Sequence, residues 1–226
     1  MQCSHCQSNQ TVKNGRRNGI QNYLCRSCGR QFRETHRPQG YPPEVKQHCL
    51  NLYLNGMGFR AIERVSGVCH NTVINWVKQA EQALPEEDYE IPESAQIDEL
   101  QAFVGSKKSK WIWIAVNSSA ADILKWVVGD RSLATFRLLW RMIQGWCSFL
   151  YITDGYPVYR CFIEDGDHLV SKTAMTRVEG ENSRLRHYLA RLHRKTVCYS
   201  KSIDMLRASI RLLIYYLKHR QIPHFS

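Results

Sequence analysis

No stretch of the 226-residue chain runs to the roughly 20 consecutive apolar residues that a membrane span needs, and acidic residues are scarce beside basic ones. The first shortage sets aside an integral membrane helix. The second, 20 Asp and Glu against 31 Lys and Arg, leaves a formal net charge of +11 and a pI near 9.3. Such an excess favours a polyanion, either nucleic acid or an anionic membrane surface. With no spanning segment, and with Met1-Gln2-Cys3-Ser4-His5 not expected to be a secretion signal, nucleic acid is the better match. Internal repeats and low-complexity tracts are also missing. The nine cysteines are odd in number and four fall in two close pairs, so bound metal in a reducing cytoplasm is expected rather than disulfides.

What is present divides by composition into an α+β multidomain chain long enough for one sizeable core and one or two small modules. Residues 1–35 are polar, Arg-rich and cysteine-bearing. Residues 42–84 read as short amphipathic helices. Residues 85–93, overlapping Leu84-Pro85-Glu86-Glu87-Asp88-Tyr89-Glu90-Ile91-Pro92, are acidic and carry a proline near each end, as in a linker. Residues 94–226 carry the longest apolar patterning, strands first and helices later.

Cys3-x-x-Cys6 and Cys25-x-x-Cys28 stand 18 residues apart. Each pair can present two thiolates from a tight knuckle, and together they match a zinc ribbon or knuckle with one structural Zn²⁺. Gly29 follows the second pair, where such a turn needs positive φ. So little apolar area lies in 1–35 that metal is expected to supply much of its stability. Cys49, Cys69, Cys147, Cys161 and Cys198 are scattered singly and read as ordinary core or surface thiols.

Pro43 opens a first helix with Val45, Cys49, Leu52 and Tyr53 at helical spacing, and Asn55-Gly56-Met57-Gly58 closes it. Phe59–Val65 forms a second helix, with Gly67 in the following turn. Asn71 is expected to cap a third, carrying Val73, Ile74, Trp76 and Val77. Three short helices in this order fit a helix-turn-helix, whose last helix presents His70, Asn71, Thr72, Asn75 and Lys78 to DNA.

Gln96-Ile97-Asp98-Glu99-Leu100 places a carboxylate in a strand. Lys110–Val116 and Ile123–Val128 are two further strands, Leu133–Ile143 a helix, and Ser148–Ile152 a fourth strand ending on Thr153-Asp154-Gly155. Three strands, a helix and a strand with Asp at its end match an α/β RNase H-like catalytic domain. There, carboxylates on neighbouring strands and a later helix hold two Mg²⁺ ions about 3.5–4 Å apart. Asp154-Gly155 is equally a turn signal, and Asp98 could be a strand-edge charge; Glu99 is sent to the opposite face by strand alternation. For the third carboxylate, Glu179, Asn182, Arg186 and His193 fall within roughly 60° on a helical wheel, beside an apolar stripe of Leu185, Leu189 and Leu192. Glu181, about 160° from Glu179, is expected at the solvent or the edge of that stripe. Asn182 and Arg186 are candidates to position phosphate or the metal-bound Glu. The segment Arg191 to Thr196, with Arg194 and Lys195, and then Lys201 are basic and suited to phosphates, as is Arg186. Ile203, Leu206, Ile210, Leu213 and Leu217 mark a final core helix.

These residues resemble the transposases of the insertion-sequence-one family of bacterial mobile elements. The resemblance spans nearly the whole chain. It is carried by the cysteine knuckles, the helix-turn-helix, Ile152-Thr153-Asp154-Gly155-Tyr156-Pro157-Val158-Tyr159, the run from Thr176 through Glu179 to Thr196, and Ser200-Lys201-Ser202. It implies an Asp, Asp, Glu catalytic set with 24 residues between the last two, as between Asp154 and Glu179 here. It also implies recognition of the element's terminal inverted repeats, nicking that frees 3′-hydroxyl ends, and their joining to target DNA by Mg²⁺-dependent transesterification. Two ends must be brought together, so a homodimer or larger assembly on double-stranded DNA is expected, in the bacterial cytoplasm on the nucleoid. A zinc and helix-turn-helix regulator without catalysis, and a nuclease of the same fold that cuts without joining, are the alternatives.

Overall fold

The computed structural model describes residues 1–33, 40–86, 88–105, 109–193 and 198–222. It divides into two compact units, Met1–Pro42 and Pro43–Ser226.

The first unit is an antiparallel sheet of β1 (Thr11–Arg17), β2 (Ile20–Cys25) and β3 (Gln31–Arg33), in that order. Asn18 and Gly19 both take positive φ, 52° and 77°, and join Arg17 to its partner Ile20. That two-residue Asn-Gly link has the backbone twist that matches flanking strands. Among the described residues of this unit the buried apolar ones are Cys3, Cys25 and Phe32, with Tyr23 stacked on Phe32 at 5.7 Å between ring centroids.

The second unit begins with α1 (Pro43–Leu54), α2 (Phe59–Ser66) and α3 (His70–Gln82). Cys49, Leu50, Tyr53 and Leu54 from α1, Ile62 from α2, and Val73, Trp76, Val77 and Ala80 from α3 are buried together. Gly67 closes α2 at φ 71°. The cap of α3 differs from expectation. Helical geometry starts at His70 with Cys69 at the N-cap, so Asn71 sits inside the first turn and caps nothing.

The five-stranded sheet follows, made of β4 (Ser94–Phe103), β5 (Ser109–Asn117), β6 (Ile123–Gly129), β7 (Leu150–Thr153) and β8 (His168–Val170), in the order β6-β5-β4-β7-β8. β4–β5 and β5–β6 pair antiparallel, while β4–β7 and β7–β8 pair parallel. The three-residue β8 has no counterpart in the sequence reading; it is too short to show an alternation. Between β6 and β7 lies α4 (Leu133–Ile143), whose first turn is capped by Ser132 Oγ accepting from the Thr135 N–H at 3.3 Å. After β8 come α5 (Thr176–Tyr188) and α6 (Ile203–His219).

Alternation along β4 sorts its side chains between two layers. Ala95 and Ile97 pack with Trp113, Phe136 and Tyr159 on the α4 side, while Leu100 and Ala102 join Val178, Leu185 and α6 on the other. The α4 side is rich in aromatic contacts, with Tyr159 edge-on to both Trp113 and Phe136 at 5.9 and 5.1 Å. Such pairs add about 0.5–1.5 kcal/mol each beyond their buried area. The other layer also takes in the buried residues of α1, α2 and α3, so these helices share one apolar core with the sheet. The proline-bounded stretch between α3 and β4 is itself tied down. Ser148 Oγ donates to Pro92 O at 2.7 Å, Phe149 N–H to Glu93 O at 2.8 Å, and Trp146 Nε1 to the Tyr89 hydroxyl at 3.2 Å.

Candidate functional site

The parallel pairing of β4 with β7 runs Ser94↔Leu150, Ala95↔Tyr151, Gln96↔Ile152. Continued two residues, that register sets Asp98 opposite Asp154, at the carboxyl end of β7. The turn holding Asp154 is fixed from both sides. The Tyr156 N–H donates to Asp154 Oδ1 at 2.9 Å, and the Gly155 N–H to the buried Thr153 Oγ1 at 3.2 Å. Gly155 takes φ +85°, and a Cβ there would lie 2.6 Å from Val170 Cγ1 of β8, so the position accepts no side chain without displacing the strand.

Helix α5 crosses β4 on the face that carries Gln96 and Asp98. Gln96, 3% exposed, donates from Nε2 to Ala174 O at 2.8 Å and accepts from the Val178 N–H at 3.0 Å. The second contact satisfies one of the amides that a helix N-terminus leaves unpaired. One helical turn further on, Asn182 Nδ2 donates to Asp98 Oδ2 at 2.7 Å. Glu179 lies between these clamps, exposed on the first turn of α5. Gln96→Leu leaves a buried carbonyl and a buried amide unmatched. It is expected to lower stability by about 2 kcal/mol, roughly 4–8 °C in Tm for a unit this size. The exposed control Gln101→Leu should stay within about 0.5 kcal/mol in the same denaturation experiment; equal effects would mean Gln96 is no clamp.

The Asp98 carboxyl is pushed up to about 6 from its ordinary 3.8, first by burial and then by the negative charges of Glu99, Asp154 and Glu179. Because the folded-state value lies above the unfolded one, ionised Asp98 destabilises the metal-free fold. The penalty is absent below about pH 4 and fully present above about pH 6, where it reaches about 3 kcal/mol. Asp98→Asn, whose amide oxygen still accepts from Asn182, is therefore expected to stabilise the protein in magnesium-free buffer at pH 7.5. That gain should fade as the pH is lowered to 4, and a gain independent of pH would show that charge is not its source.

Two expectations about α5 are corrected. The helix ends at Tyr188, where Leu189 takes an extended backbone, so Leu189, Leu192 and His193 do not continue its wheel. Its buried stripe is Val178, Glu181, Asn182 and Leu185. Glu181 is thus buried, 3% exposed, with its charge met by Arg184 Nη1 at 2.6 Å one turn along the helix. Asn182 is 5% exposed, and its Oδ1 has no hydrogen-bond partner.

Glu99 faces away from Asp98, as alternation requires, but it is not idle. Its side chain is buried, bonded through Oε1 to Arg131 and through Oε2 to the Tyr159 hydroxyl at 2.5 Å. No spacing in the sequence announces this pairing, since Glu99 and Arg131 belong to elements joined only by the sheet.

The four paired cysteines come together at one end of the small sheet. Their sulfurs all lie within 4.8 Å of one another, with Cys3–Cys28 at 3.7 Å and Cys6–Cys25 at 3.5 Å. Four thiolates on a tetrahedral zinc at about 2.3 Å stand about 3.8 Å apart, so the cluster fits that ion. Both knuckles have the same closure. The Gln7 N–H donates to Cys3 O and the Gly29 N–H to Cys25 O, each at 2.9 Å, with positive φ at Gln7 (60°) and Gly29 (70°).

On α3, Asn71, Asn75 and Lys78 are exposed, with His70 and Thr72 half-buried. His70 Nδ1 bonds Glu63 Oε2 at 2.9 Å, which holds the Glu63 carboxyl below the usual range. Cys69 also lies within 4.8 Å of these two donors, which already satisfy each other. Arg186 is half-buried, two turns from Glu179 on α5, and Lys201 is exposed. Arg191 is half-buried, its Nη1 donating to the Tyr53 hydroxyl at 2.6 Å and Ser209 Oγ at 2.9 Å, so part of its guanidinium is engaged in the fold. Arg194 and Lys195 lie outside the described residues. No helix among the described residues is long and apolar enough to cross a membrane.

Residues 93–220 match the family model described as IS1 transposase. The insertion element IS1 protein InsB of Shigella sonnei is 33% identical over 112 residues, 49% of this chain and 86% of that protein. The insertion element IS1 9 protein InsB of Escherichia coli K12 is 33% identical over 112 residues, 67% of its length, as is the InsB protein of Haemophilus ducreyi. With the matched span holding both strand carboxylates and the helix that crosses them, the chain belongs to the IS1 transposase family.

Proposed function

We propose that the protein binds the terminal inverted repeats of its insertion sequence, nicks them to free 3′-hydroxyl ends, and joins those ends to target DNA. The observation that supports this reading is the β4–β7 register that sets Asp98 opposite Asp154, together with the bond from Asn182 of α5 to Asp98, one turn after Glu179 on the same helix. The order β6-β5-β4-β7-β8, with β4 and β7 parallel and β5 antiparallel to both neighbours on its two sides, supports an RNase H-like catalytic domain from 94 onward.

The donor set fits hard divalent cations. Burial raises Asp98, with the charges of Glu99, Asp154 and Glu179 adding to it, and the orphaned Asn182 Oδ1 is a further buried oxygen on the residue bonded to Asp98. Two Mg²⁺ ions held by Asp98, Asp154 and Glu179 would supply Lewis-acid activation of the attacking oxygen and stabilisation of the leaving one. The chain's own contribution is placement. The Tyr156 amide holds Asp154, Asn182 holds Asp98, and Gln96 sets the height of α5 and hence of Glu179. Arg186, further along the same helix, faces the DNA backbone in this reading.

The exposed Asn71, Asn75 and Lys78, with His70 and Thr72 at the edge of the same face, read DNA as the recognition helix of a helix-turn-helix at 42–84. The basic residues Lys13, Arg16, Arg17, Arg26 and Arg30 are exposed around the zinc-type cluster of residues 1–35 and serve the phosphate backbone. Joining two ends calls for a homodimer or larger assembly, working in the cytoplasm on the nucleoid. The test is a supercoiled plasmid carrying the element's ends, incubated with protein and Mg²⁺. Metal-dependent nicks at the ends together with joined products are the expected result. Nicks without joining would make the protein a nuclease, and binding without cutting would make it a regulator.

A further inference from the structure

The Arg131 guanidinium is built into the opposite side of the sheet from Asp98, beside the Asp154 turn. Its Nε donates to Glu99 Oε1 at 2.8 Å and its Nη2 bonds the same oxygen, while Tyr159 fills the other carboxylate oxygen. The Trp111 and Tyr156 rings both stack on it, at 4.7 and 4.2 Å from the guanidinium carbon to the ring centroids. Its backbone is pinned as well, because the Tyr156 hydroxyl donates to Arg131 O at 3.1 Å and the neighbouring Asp130 carboxylate accepts from the Ser132 and Thr135 hydroxyls at the start of α4. The same Tyr156 whose ring covers Arg131 holds Asp154 through its amide at 2.9 Å. Arg131 and Asp154 are therefore joined by one residue.

This arrangement has little rationale as a stabilising device. A buried carboxylate–guanidinium pair contributes about as much as apolar residues of the same volume, and often less. Glu99 is 3% exposed at its side chain, yet Arg131 keeps 39% of its own in solvent. Two of the five guanidinium N–H groups are committed to Glu99, which leaves three. With two rings already stacked on the cation, what remains open is its N–H edge, the part that matches the oxygens of a phosphate. Adjacent residues of β4 thus serve opposite charges. Asp98 turns its carboxylate to the candidate metal site, and Glu99 turns its own to a cation.

We propose that Arg131 is a phosphate-binding residue of the active site, holding one backbone phosphate of the DNA end beside the Asp154 carboxylate. The proposal rests on the transposase reading above and adds a substrate contact from outside the carboxylate set. The bonds to Glu99 and its charge, with a smaller part from Asp154, outweigh burial and hold Arg131 cationic.

The test uses short duplexes of the element's end in which single phosphates flanking the cleaved bond are replaced by neutral methylphosphonates, with full-length protein and Mg²⁺. In the wild type, one substituted position should slow cleavage by about 30-fold, and Arg131→Ala should cleave the normal duplex about 100-fold slower. That one position should then cost Arg131→Ala nothing more, while its end affinity stays within about threefold of wild type, as one lost contact among many implies. Arg131→Lys retains the charge but not the planar edge, and is expected to recover no more than about tenfold of the loss. It decides the matter if Arg131→Ala fails to fold. Wild-type cleavage by Arg131→Ala, or a methylphosphonate penalty unchanged in either variant, overturns the proposal. Asp154→Asn runs alongside: cleavage surviving in that variant defeats the transposase mechanism itself, a failure distinct from that of Arg131.

Discussion

Asp154→Asn is expected to lower cleavage at the element's ends by at least about 10³-fold, roughly 4 kcal/mol of lost transition-state stabilisation, with end binding within about twofold. The substitution is chosen because it removes charge and little else. An asparagine oxygen still accepts the Tyr156 N–H that now reaches Asp154 Oδ1, and the Gly155 turn stays in place. What disappears is one carboxylate oxygen donor beside Asp98, a group already raised by its burial and by neighbouring negative charge. Glu179→Gln should lose a similar amount, since the two carboxylates act as one unit and their losses will not add. Glu181→Gln separates charge from position. It removes the buried charge that pairs with the half-buried Arg184 guanidinium, so it should reduce stability by about 1–3 kcal/mol and leave the cleavage rate of the folded fraction near normal. Gel-based cleavage under single-turnover conditions, with a parallel mobility-shift titration, reads all three. Retention of activity by Asp154→Asn would remove the carboxylates from the mechanism.

The second large effect concerns the small unit. Stripping metal from the four-cysteine cluster, or replacing Cys25 by Ser, is expected to unfold residues 1–33 while the unit beginning at Pro43 keeps its own transition. The only buried apolar residues of the small sheet are Cys3, Cys25 and Phe32, and two of these are themselves cluster sulfurs. At about 1.5–3 kcal/mol for a fully buried large side chain, Phe32 and Tyr23 cannot offset the ordering of three strands, whereas a structural zinc contributes about 10–16 kcal/mol. Metal analysis should return about one zinc per chain, lost in Cys25→Ser, and limited proteolysis should then cut within β1–β3 first. DNA affinity should fall with it, as the exposed arginines around the hairpin lose their fixed geometry. A small unit that stays protease-resistant in strong chelator, or a protein purified without zinc, sinks this account.

Much of the architecture is readable from periodicity because local physics sets it. α4 begins and ends at the residues its pattern marks, with Ser132 as the cap, and α6 carries the predicted stripe of Leu206, Ile210, Leu213 and Leu217. Strand alternation alone separated Asp98 from Glu99, and the cysteine spacing alone foreshadowed a four-sulfur cluster. Where reading failed, it had assumed a longer helix or a more exposed charge than the packed structure has. The wheel drawn through Leu192 and His193 assumed that α5 continued, but the chain turns extended at Leu189. Glu181 looked solvent-facing because a helical wheel gives its angle but not which faces of α5 the fold covers, and its burial is made tolerable by Arg184 one turn along.

The sequence by itself therefore marked the candidates for the chemistry: the two knuckles, the carboxylates at 98, 154 and 179, and the helix that bears the last of them. Those signals are periods, spacings and charges, all of them properties of neighbouring positions. Only the tertiary structure decided what faces what. It selected the parallel register that puts Asp98 across from Asp154, the Gln96 and Asn182 bonds that hold α5 against β4, and the Glu99–Arg131–Tyr159 network. Each of these joins residues 32 to 84 positions apart. Hydrogen bonds of that reach leave no imprint on local periodicity, because the chain between them is free to vary while the sheet keeps their ends together.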